Sequence, residues 1–517
     1  MERSSGGPVP SVQSSTAPDL VSRSVELSGV VPGPRWLETD VRRVFWSTAD
    51  GPDLFGFGVA HEIAIDRDVV VDSDDPADSP TERFDPETDS STADRFERIR
   101  ASANSCFDRI SYDGPDRARP RAFGGFSFHD RSPGRSDPEG LWADFPIASF
   151  VVPEAMVTAD ETESVLTVTT TESAMDATLH EWKRHLEAGD ATFEREQSRS
   201  SDHPGVATSS SNAKEDREGG RQNDTGREGD RRNDRVIDLH AESTVGRPLR
   251  SHPTDVDEWV ERVEAAVDRI ERTALEKVVL AQERRYGYDR PIDVPRAVDR
   301  LARWYPECYR FLIDGGESTF VGATPERLVS LSGRTIETEA LAGSMPRGTT
   351  PEEDDRHTDT LRTDRKLADE HDLVVRSVRD GLGGIAESVT VHDRRVRKLA
   401  TVQHLQTPLS GTVPAGVHVI DAVRTLHPTP AVGGVPAPMA NATIDRLEPF
   451  DRGWYAAPVG WFDAAGDGEF AVAIRSALVA DEMASVFAGN GIVADSDPLD
   501  ERAEIELKFQ SILDWVS

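Results

Sequence analysis

One stretch of this 517-residue chain can take no part in a folded core, and it interrupts everything else. Residues 198–235, through Gly219-Gly220 to Arg235, hold a single Val and no Leu, Ile, Phe, Trp, Tyr or Met. Ordering a residue costs roughly 1–2 kcal/mol of backbone entropy, offset mainly by buried apolar surface, so this stretch is expected to remain a solvated insert. What flanks it must then form either separate domains or one core built across the gap. With 37% apolar residues the chain has material for a large one.

The insert also locates the charge. It carries eight basic and eight acidic residues, so the net −35 (59 Lys+Arg against 94 Asp+Glu) belongs to the rest of the chain. Such an excess would repel DNA, RNA and anionic membrane, which excludes a nucleic-acid-coating protein. No run approaches the ~20 apolar residues that cross a bilayer, and Met1-Glu2-Arg3-Ser4 opens no signal peptide. The expectation is a soluble, cytoplasmic protein with neither nucleic-acid nor membrane partner. Only six cations are lysine (Lys183, Lys214, Lys277, Lys366, Lys398, Lys508), leaving 59 − 6 = 53 arginines. An acidic, lysine-poor surface suits a salt-adapted, halophilic protein, because the Debye length falls to about 3 Å at 1 M salt. The rival reading is an acidic binding module. Two cysteines, Cys106 and Cys308, are too few for a disulfide framework or a thiolate metal site.

Along the chain, residues 1–35 read as a Ser/Pro/Gly-rich disordered tail. Over 36–197 strand-like patches alternate with acidic loops, among them Phe55–Ala60, Ala122–Phe128 and Ala148–Pro153, with a long acidic loop at 67–95. After about 253, Trp259, Val263, Ala266 and Ile270 recur at helical spacing, and Lys277-Val278-Val279-Leu280-Ala281 follows as a strand. Helices over 364–381, 417–426 and 499–515 are interspersed with strands at 310–313, 319–322, 470–475 and 484–488. The order is mixed, without a regular βαβ period, and predicts an α+β fold with a core formed by both halves.

Several short patterns bear on chemistry. Thr324-Pro325-Glu326-Arg327-Leu328 reads as a helix start, with Thr as N-cap and Pro at the first turn; its Glu either complements the helix dipole or is held at an element edge as a general acid. Asp369-Glu370-His371-Asp372 sits in a predicted helix, where an acidic cluster is ordinarily a solvated face. Glu501, Glu504 and Lys508 share one helix face, either as an ion pair or as oxygen ligands for Mg²⁺ beside a cation for an anionic substrate. Phe487-Ala488-Gly489-Asn490-Gly491 places two glycines after a strand, lacking the third glycine and βαβ setting of a dinucleotide site but open to close approach of an anion.

Taken in order, Lys277-Val278-Val279-Leu280-Ala281, Thr324-Pro325-Glu326, Leu341-Ala342-Gly343-Ser344, Glu370-His371, Gln403-His404-Leu405, Leu426-His427-Pro428-Thr429-Pro430-Ala431, Glu448-Pro449-Phe450-Asp451-Arg452, Ala473-Ile474-Arg475, Gly489-Asn490-Gly491 and Glu501-x-x-Glu504-x-x-x-Lys508 resemble the chorismate-utilising enzymes. Within them the isochorismate synthases of menaquinone and siderophore pathways are most similar. The resemblance covers about 253–517; residues 36–197, with Phe123-Gly124-Gly125 and Trp142-Ala143-Asp144-Phe145-Pro146, match more loosely.

The resemblance implies a chorismate-binding fold of two β-sheet halves flanked by helices. It implies a monomer that binds chorismate with Mg²⁺, adds water at C2 and expels the C4 hydroxyl; the likeness leaves menaquinone and siderophore pathways open, and menaquinone is the expectation because a salt-adapted prokaryote needs respiratory quinone. By that likeness Lys277 is the general base and Glu326 the general acid, the lysine being eased toward deprotonation by desolvation and nearby cations. Glu370 and Glu504 match the Mg²⁺ ligands, joined by Glu501. Arg475, the Gly489 backbone and Lys508 match a cradle for the pyruvyl carboxylate, Gly343 and Ser344 hold the ring carboxylate, and His404 lies near the ring hydroxyl. Anthranilate and aminodeoxychorismate synthases lack the lysine, because their nucleophile is ammonia. Ala431 stands where they, and the salicylate synthases, tend to Thr, which favours a product that stops at isochorismate; a salicylate synthase is the alternative. Asp500 and Asn490 depart from the family's usual small residues.

Overall fold

The computed structural model describes residues 19–28, 33–66, 69–73, 94–130, 140–160, 162–188, 250–251, 255–399 and 402–516. Contacts divide the chain into two units, Met1–Phe193 with Gly246–Ser517, and Glu194–Val245. The second unit contains the 198–235 stretch and lies outside the described residues, as do 74–93 of the acidic segment.

Two large sheets are each assembled from both sides of the gap. The first, 13-stranded, runs in the order Arg250–Ser251, Lys277–Gly287, Met483–Ile492, Ser476–Ala480, Thr319–Thr324, Tyr309–Asp314, Arg43–Ser47, Asp53–Phe57, Ala155–Ala159, Ser164–Thr171, Leu20–Leu27 and Ile110–Asp113, with Gly434–Val435 paired beside Lys277–Gly287. The second, 11-stranded, runs Ser388–Val391, Val402–Thr412, Thr335–Pro346, Arg327–Ser332, Gly468–Val472, Pro458–Asp463, Arg121–Phe126, Ala148–Val152, His61–Asp66 and Val69–Ser73, with Arg395–Lys398 paired on Val402–Thr412. The halves meet at Phe311↔Trp46 in one sheet and Val459↔Gly125 in the other. Severing either seam would expose unpaired strand edges and the apolar residues behind them, so one shared core is the favourable solution. Among the described residues pairing is antiparallel save for Leu20–Leu27 against Ile110–Asp113, consistent with an α+β fold.

That exceptional strand shortens the expected tail. Leu20–Leu27 buries Leu20, Ser22 and Leu27, leaves Glu26 exposed, and pairs along its full length with Ser164–Thr171. Its serines match the Ser-rich composition of the residues before it, yet Ser22 is buried and its hydroxyl bonds to Thr169 at 2.5 Å, so a polar side chain is satisfied inside the sheet.

A second correction concerns Thr324-Pro325-Glu326-Arg327-Leu328, which starts no helix. Thr324 ends a strand of the first sheet and Arg327 begins one of the second, so Pro325-Glu326 is the corner that carries the chain between them. The Thr324 hydroxyl accepts the Glu326 amide at 3.2 Å, a local bond of the kind that an N-cap makes. The outcome is decided downstream, where Val329 and Leu331 are buried and paired with Phe470 and Gly468. Likewise Gly489 and Gly491 lie within the Met483–Ile492 strand rather than after it.

The predicted helices form, two of them with aspartate caps in place. Asp255 caps Val256–Arg272, whose Trp259, Val263, Ala266 and Ile270 face the core. Asp364 accepts the Leu367 amide at 3.0 Å to start Arg365–Gly383, which buries His371, Val374, Val378 and Leu382. Pro498–Val516 buries Ile505, Phe509, Ile512 and Trp515, leaving Glu501, Glu504 and Lys508 on another face.

Candidate active site

The site gathers where the first-sheet strand Lys277–Gly287, the Pro325-Glu326 corner and the helices Arg365–Gly383 and Pro498–Val516 converge. Lys277 is the first residue of its strand and only 4% exposed, and its ammonium pairs with the Glu370 carboxylate at 2.7 Å. The cation-rich surroundings expected of Lys277 are therefore not met at the ammonium itself, whose bonded partner is an anion. Room for the side chain comes from Gly491: a Cβ there would lie 2.6 Å from Lys277 Cε, too close for any other residue without displacement.

Glu370 owes its position to the residue beside it. His371 is fully buried, with Nδ1 3.2 Å from the Ala342 carbonyl and Nε2 2.7 Å from the Thr407 hydroxyl. A carbonyl only accepts, so Nδ1 carries the proton and Nε2 accepts from Thr407. Burial holds this ring below its usual pKa, so it stays neutral and pins the helix to two strands of the second sheet.

Glu326 is 6% exposed and accepts the Thr429 hydroxyl at 3.3 Å. Burial, reinforced by the nearby Glu339 carboxylate, pushes its pKa up to about 7 against the opposing pull of Thr429 and Lys277. A carboxyl in this state is still protonated in a large fraction of molecules at neutral pH and can give the proton up, the property required of a general acid.

A cationic group of side chains forms a second part. Arg475 adopts a left-handed backbone at φ 52°, sparsely populated for a non-glycine residue, and its Nη1 is buried with no hydrogen-bond partner. His404 bonds through Nδ1 to the Ser344 hydroxyl at 2.7 Å, while its Nε2 is likewise buried and unpartnered. Burial, with the charges of Arg475, Lys508 and Arg397 around it, lowers the His404 pKa to about 3, so the ring is neutral at working pH. Two buried polar atoms without partners beside three cations describe a place prepared for an anionic ligand. Gly343 precedes Ser344 as the extra residue of a β-bulge, at φ 74°, where the ladder to Val402–Thr412 shifts register.

The helix face Glu501, Glu504 and Lys508 borders the cleft. Lys508 binds Glu504 at 2.9 Å and the Gly489 carbonyl at 2.8 Å. Glu501 accepts Ser496 at 2.7 Å and Asn490 at 3.0 Å, so Asn490, a departure from the family pattern, fastens this helix to the strand. No group of three metal-ligating side chains already stands at metal distance among the described residues. The donor set nonetheless suits a hard cation. Glu370, Glu501 and Glu504 are oxygen donors on two helices; burial and the Glu504 charge raise the pKa of Glu501, and the charges of Glu370 and Glu501 both act on Lys366. Ala431 lies in the turn after Thr429, half-buried.

Sequence reasoning passed over several neighbours. Tyr455 is buried with its hydroxyl 3.4 Å from where a Gly489 Cβ would stand, and its ring stacks on Phe487. The Glu448–Arg452 motif turns out to be scaffolding. Arg452, 1% exposed, binds Glu448 and the carbonyls of Val279 and Val432, each of the latter at 2.8 Å, while Glu448 accepts the Ala281 amide at 2.7 Å. It thereby ties the Lys277 strand to the Thr429 turn.

The family model "Chorismate binding enzyme" matches residues 84–223 and 228–517. The chain belongs to the chorismate-binding enzymes. It is 40% identical over 260 residues to the isochorismate synthase MenF of Bacillus subtilis, covering 50% of this chain and 55% of that protein. It is 38% identical over 263 residues to the salicylate biosynthesis isochorismate synthase of Pseudomonas aeruginosa, covering 50% of this chain and 55% of that protein. These alignments span about half the length of the curated relatives. The fold is similar to that of MenF, the menaquinone-specific isochorismate synthase from Escherichia coli, with a TM-score of 0.70 at 20% identity over 97% of this chain and 95% of that one. The chorismate-binding family thus accounts for both sides of the gap, including the N-terminal half where the sequence patterns were weaker.

Proposed function

We propose that this chorismate-binding enzyme is an isochorismate synthase, converting chorismate to isochorismate for menaquinone synthesis. The observation that carries the reading is the pairing, in one cleft, of a buried lysine with a buried carboxyl whose pKa is pushed up to about 7, beside cations with unpartnered polar atoms. Chorismate is a dicarboxylate whose conversion needs one proton taken from water and one given to a departing hydroxyl. Lys277, once released from Glu370, takes the proton as water bonds to C2. The ring double bonds shift, the C4–oxygen bond breaks, and Glu326 delivers its proton to that oxygen, so water added equals water lost. Arg475 Nη1, His404, Ser344 and Lys508 orient the two carboxylates and the ring hydroxyl. Glu370, Glu501 and Glu504 would hold a Mg²⁺ ion, which when bound supplies positive charge for a substrate carboxylate. Because Glu326 acts as the acid, turnover should decline as pH rises through about 7. We further read the protein as a cytoplasmic monomer in a salt-rich cell; no described helix is long and apolar enough to cross a membrane.

Incubation with chorismate and Mg²⁺ followed by chromatography tests the reading. Isochorismate without pyruvate is expected, and salicylate with pyruvate would assign the chain to the salicylate synthases instead. Ala431, where those enzymes tend to Thr, supports the former outcome.

A further inference from the structure

The Pro325-Glu326 corner is gripped from both sides by one pair of residues that no motif singled out. Arg397 donates through Nη1 to the Pro325 carbonyl at 3.0 Å and to the Glu339 carboxylate at 3.1 Å, and through Nη2 to the Glu307 carbonyl at 2.9 Å. The same Glu339 oxygen accepts the Arg327 amide at 3.3 Å. The backbone groups immediately before and after Glu326 are thus fixed to a single ion pair. Glu339 is 5% exposed at its side chain, and its other oxygen accepts the Gln406 amide, which Arg395 holds at 2.7 Å. All of these partners are donors, so the group they surround is a carboxylate rather than an acid.

Register explains how distant residues reach one corner. Leu341 pairs with Gln406, Arg395 with Gln406, Arg397 with His404 and Ser344 with His404. Cross-strand partners and residues two apart share a face, so Glu339, Gln406, Arg397, His404 and Ser344 form one row across three strands of the second sheet. The row runs from the proton donor's corner to the anion-binding atoms.

We infer that Arg397 and Glu339 are positioning residues for Glu326: the pair fixes the corner in place, and the Glu339 anion keeps the neighbouring carboxyl in its acid form. A buried carboxylate near a second carboxyl disfavours the second charge; Glu339, bonded to the amide that follows Glu326, is the anion among the described residues that adds to burial in raising the pKa of Glu326. The other charged or titratable groups facing Glu326 are Lys277, which acts in the opposite sense, and the Tyr455 phenol, itself held neutral by burial. The inference rests on Glu326 being the proton donor of the proposed reaction, but its second half, the charge-setting role of Glu339, does not need catalysis to be tested.

Two variants test it separately. In E339Q the protonated-carboxyl infrared band of Glu326, assigned by its loss in E326Q, should disappear at a pH lower by about one unit than in the wild type, and the alkaline limb of kcat should move with it while KM changes little. In R397K, which keeps the charge but not the fork of donors, kcat should fall by roughly tenfold to a hundredfold with the alkaline limb unmoved. An unmoved infrared titration in E339Q overturns the charge-setting role whatever the activity does, and an undiminished kcat in R397K overturns the positioning role. If the band moves in E339Q while the kcat limb stays, the charge-setting role stands and the assignment of Glu326 as proton donor is what fails.

Discussion

Two of the buried ion pairs in this molecule's catalytic half, Arg452–Glu448 and Lys277–Glu370, are built in opposite ways. Arg452–Glu448 is closed: its side chains are 1% and 3% exposed, and backbone carbonyls and an amide use the remaining hydrogen-bonding capacity. Lys277–Glu370 is open: the lysine side chain is 5% exposed but the glutamate 30%, and the ammonium makes its described bond to that carboxylate. Desolvating charge is costly, and a pair earns its place in a core only when every polar atom is satisfied. The closed pair meets that condition and can serve only as structure. The open pair keeps reach toward solvent and ligand, which a reacting group needs. The two are joined, since Arg452 binds the carbonyl of Val279 two residues from Lys277.

The largest separation between them should appear in Lys277→Ala. Removing the open pair's cation leaves Glu370 free to be hydrated, so the unfolding midpoint should stay near that of the wild type. Turnover should fall by roughly 10²–10⁴-fold, the usual contribution of a general base. Glu326→Gln should behave alike. Thermal unfolding together with initial rates checks both, and a variant retaining full turnover would remove its residue from the proposed roles.

Arg452→Gln should invert that pattern. Breaking one partner of a closed pair strands a buried carboxylate and frees two carbonyls, a cost of about 3–5 kcal/mol read from denaturant midpoints. Should this variant unfold at the wild-type midpoint yet lose turnover, the distinction between structural and reacting pairs would collapse.

How much of this contrast was legible in the sequence depends on whether neighbours lie along the chain or across it. Glu501, Glu504 and Lys508 are set by helical spacing, and the periodic Trp259–Ile270 face found its core as expected. The thirteen- and eleven-stranded sheets were legible only as strand patches, because no local pattern says that Phe311 pairs with Trp46. Thr324-Pro325-Glu326 was misread as a helix start since a Thr hydroxyl accepting an amide two residues on serves a cap and a corner equally. Glu339, Arg397 and Gln406 converge through strand register, and in so acidic a chain one more glutamate carries no signal. Leu20–Leu27 was missed because its serines match the tail before it; only their buried pairing sets them apart.

A smaller effect concerns the metal. Glu504 is half-exposed and bound to Lys508, so Glu504→Ala should leave the fold unchanged and weaken Mg²⁺ binding by about tenfold or more in titration calorimetry. Unchanged Mg²⁺ affinity would take Glu504 out of the ligand set and leave Glu370 and Glu501 as its members.

Ser344→Ala is the mildest change and probes the cradle rather than either pair. The hydroxyl lies at the exposed edge of the row and holds His404 at 2.7 Å, where no ion pair depends on it. One neutral hydrogen bond is worth about 1 kcal/mol, or about fivefold in an equilibrium constant. KM for chorismate should therefore rise by about fivefold while kcat barely changes, because the lost contact holds the substrate and the transition state alike. A fall in kcat at constant KM would instead mean that Ser344 and His404 act on the reacting hydroxyl, which would draw this end of the row into the same work as Lys277 and Glu326.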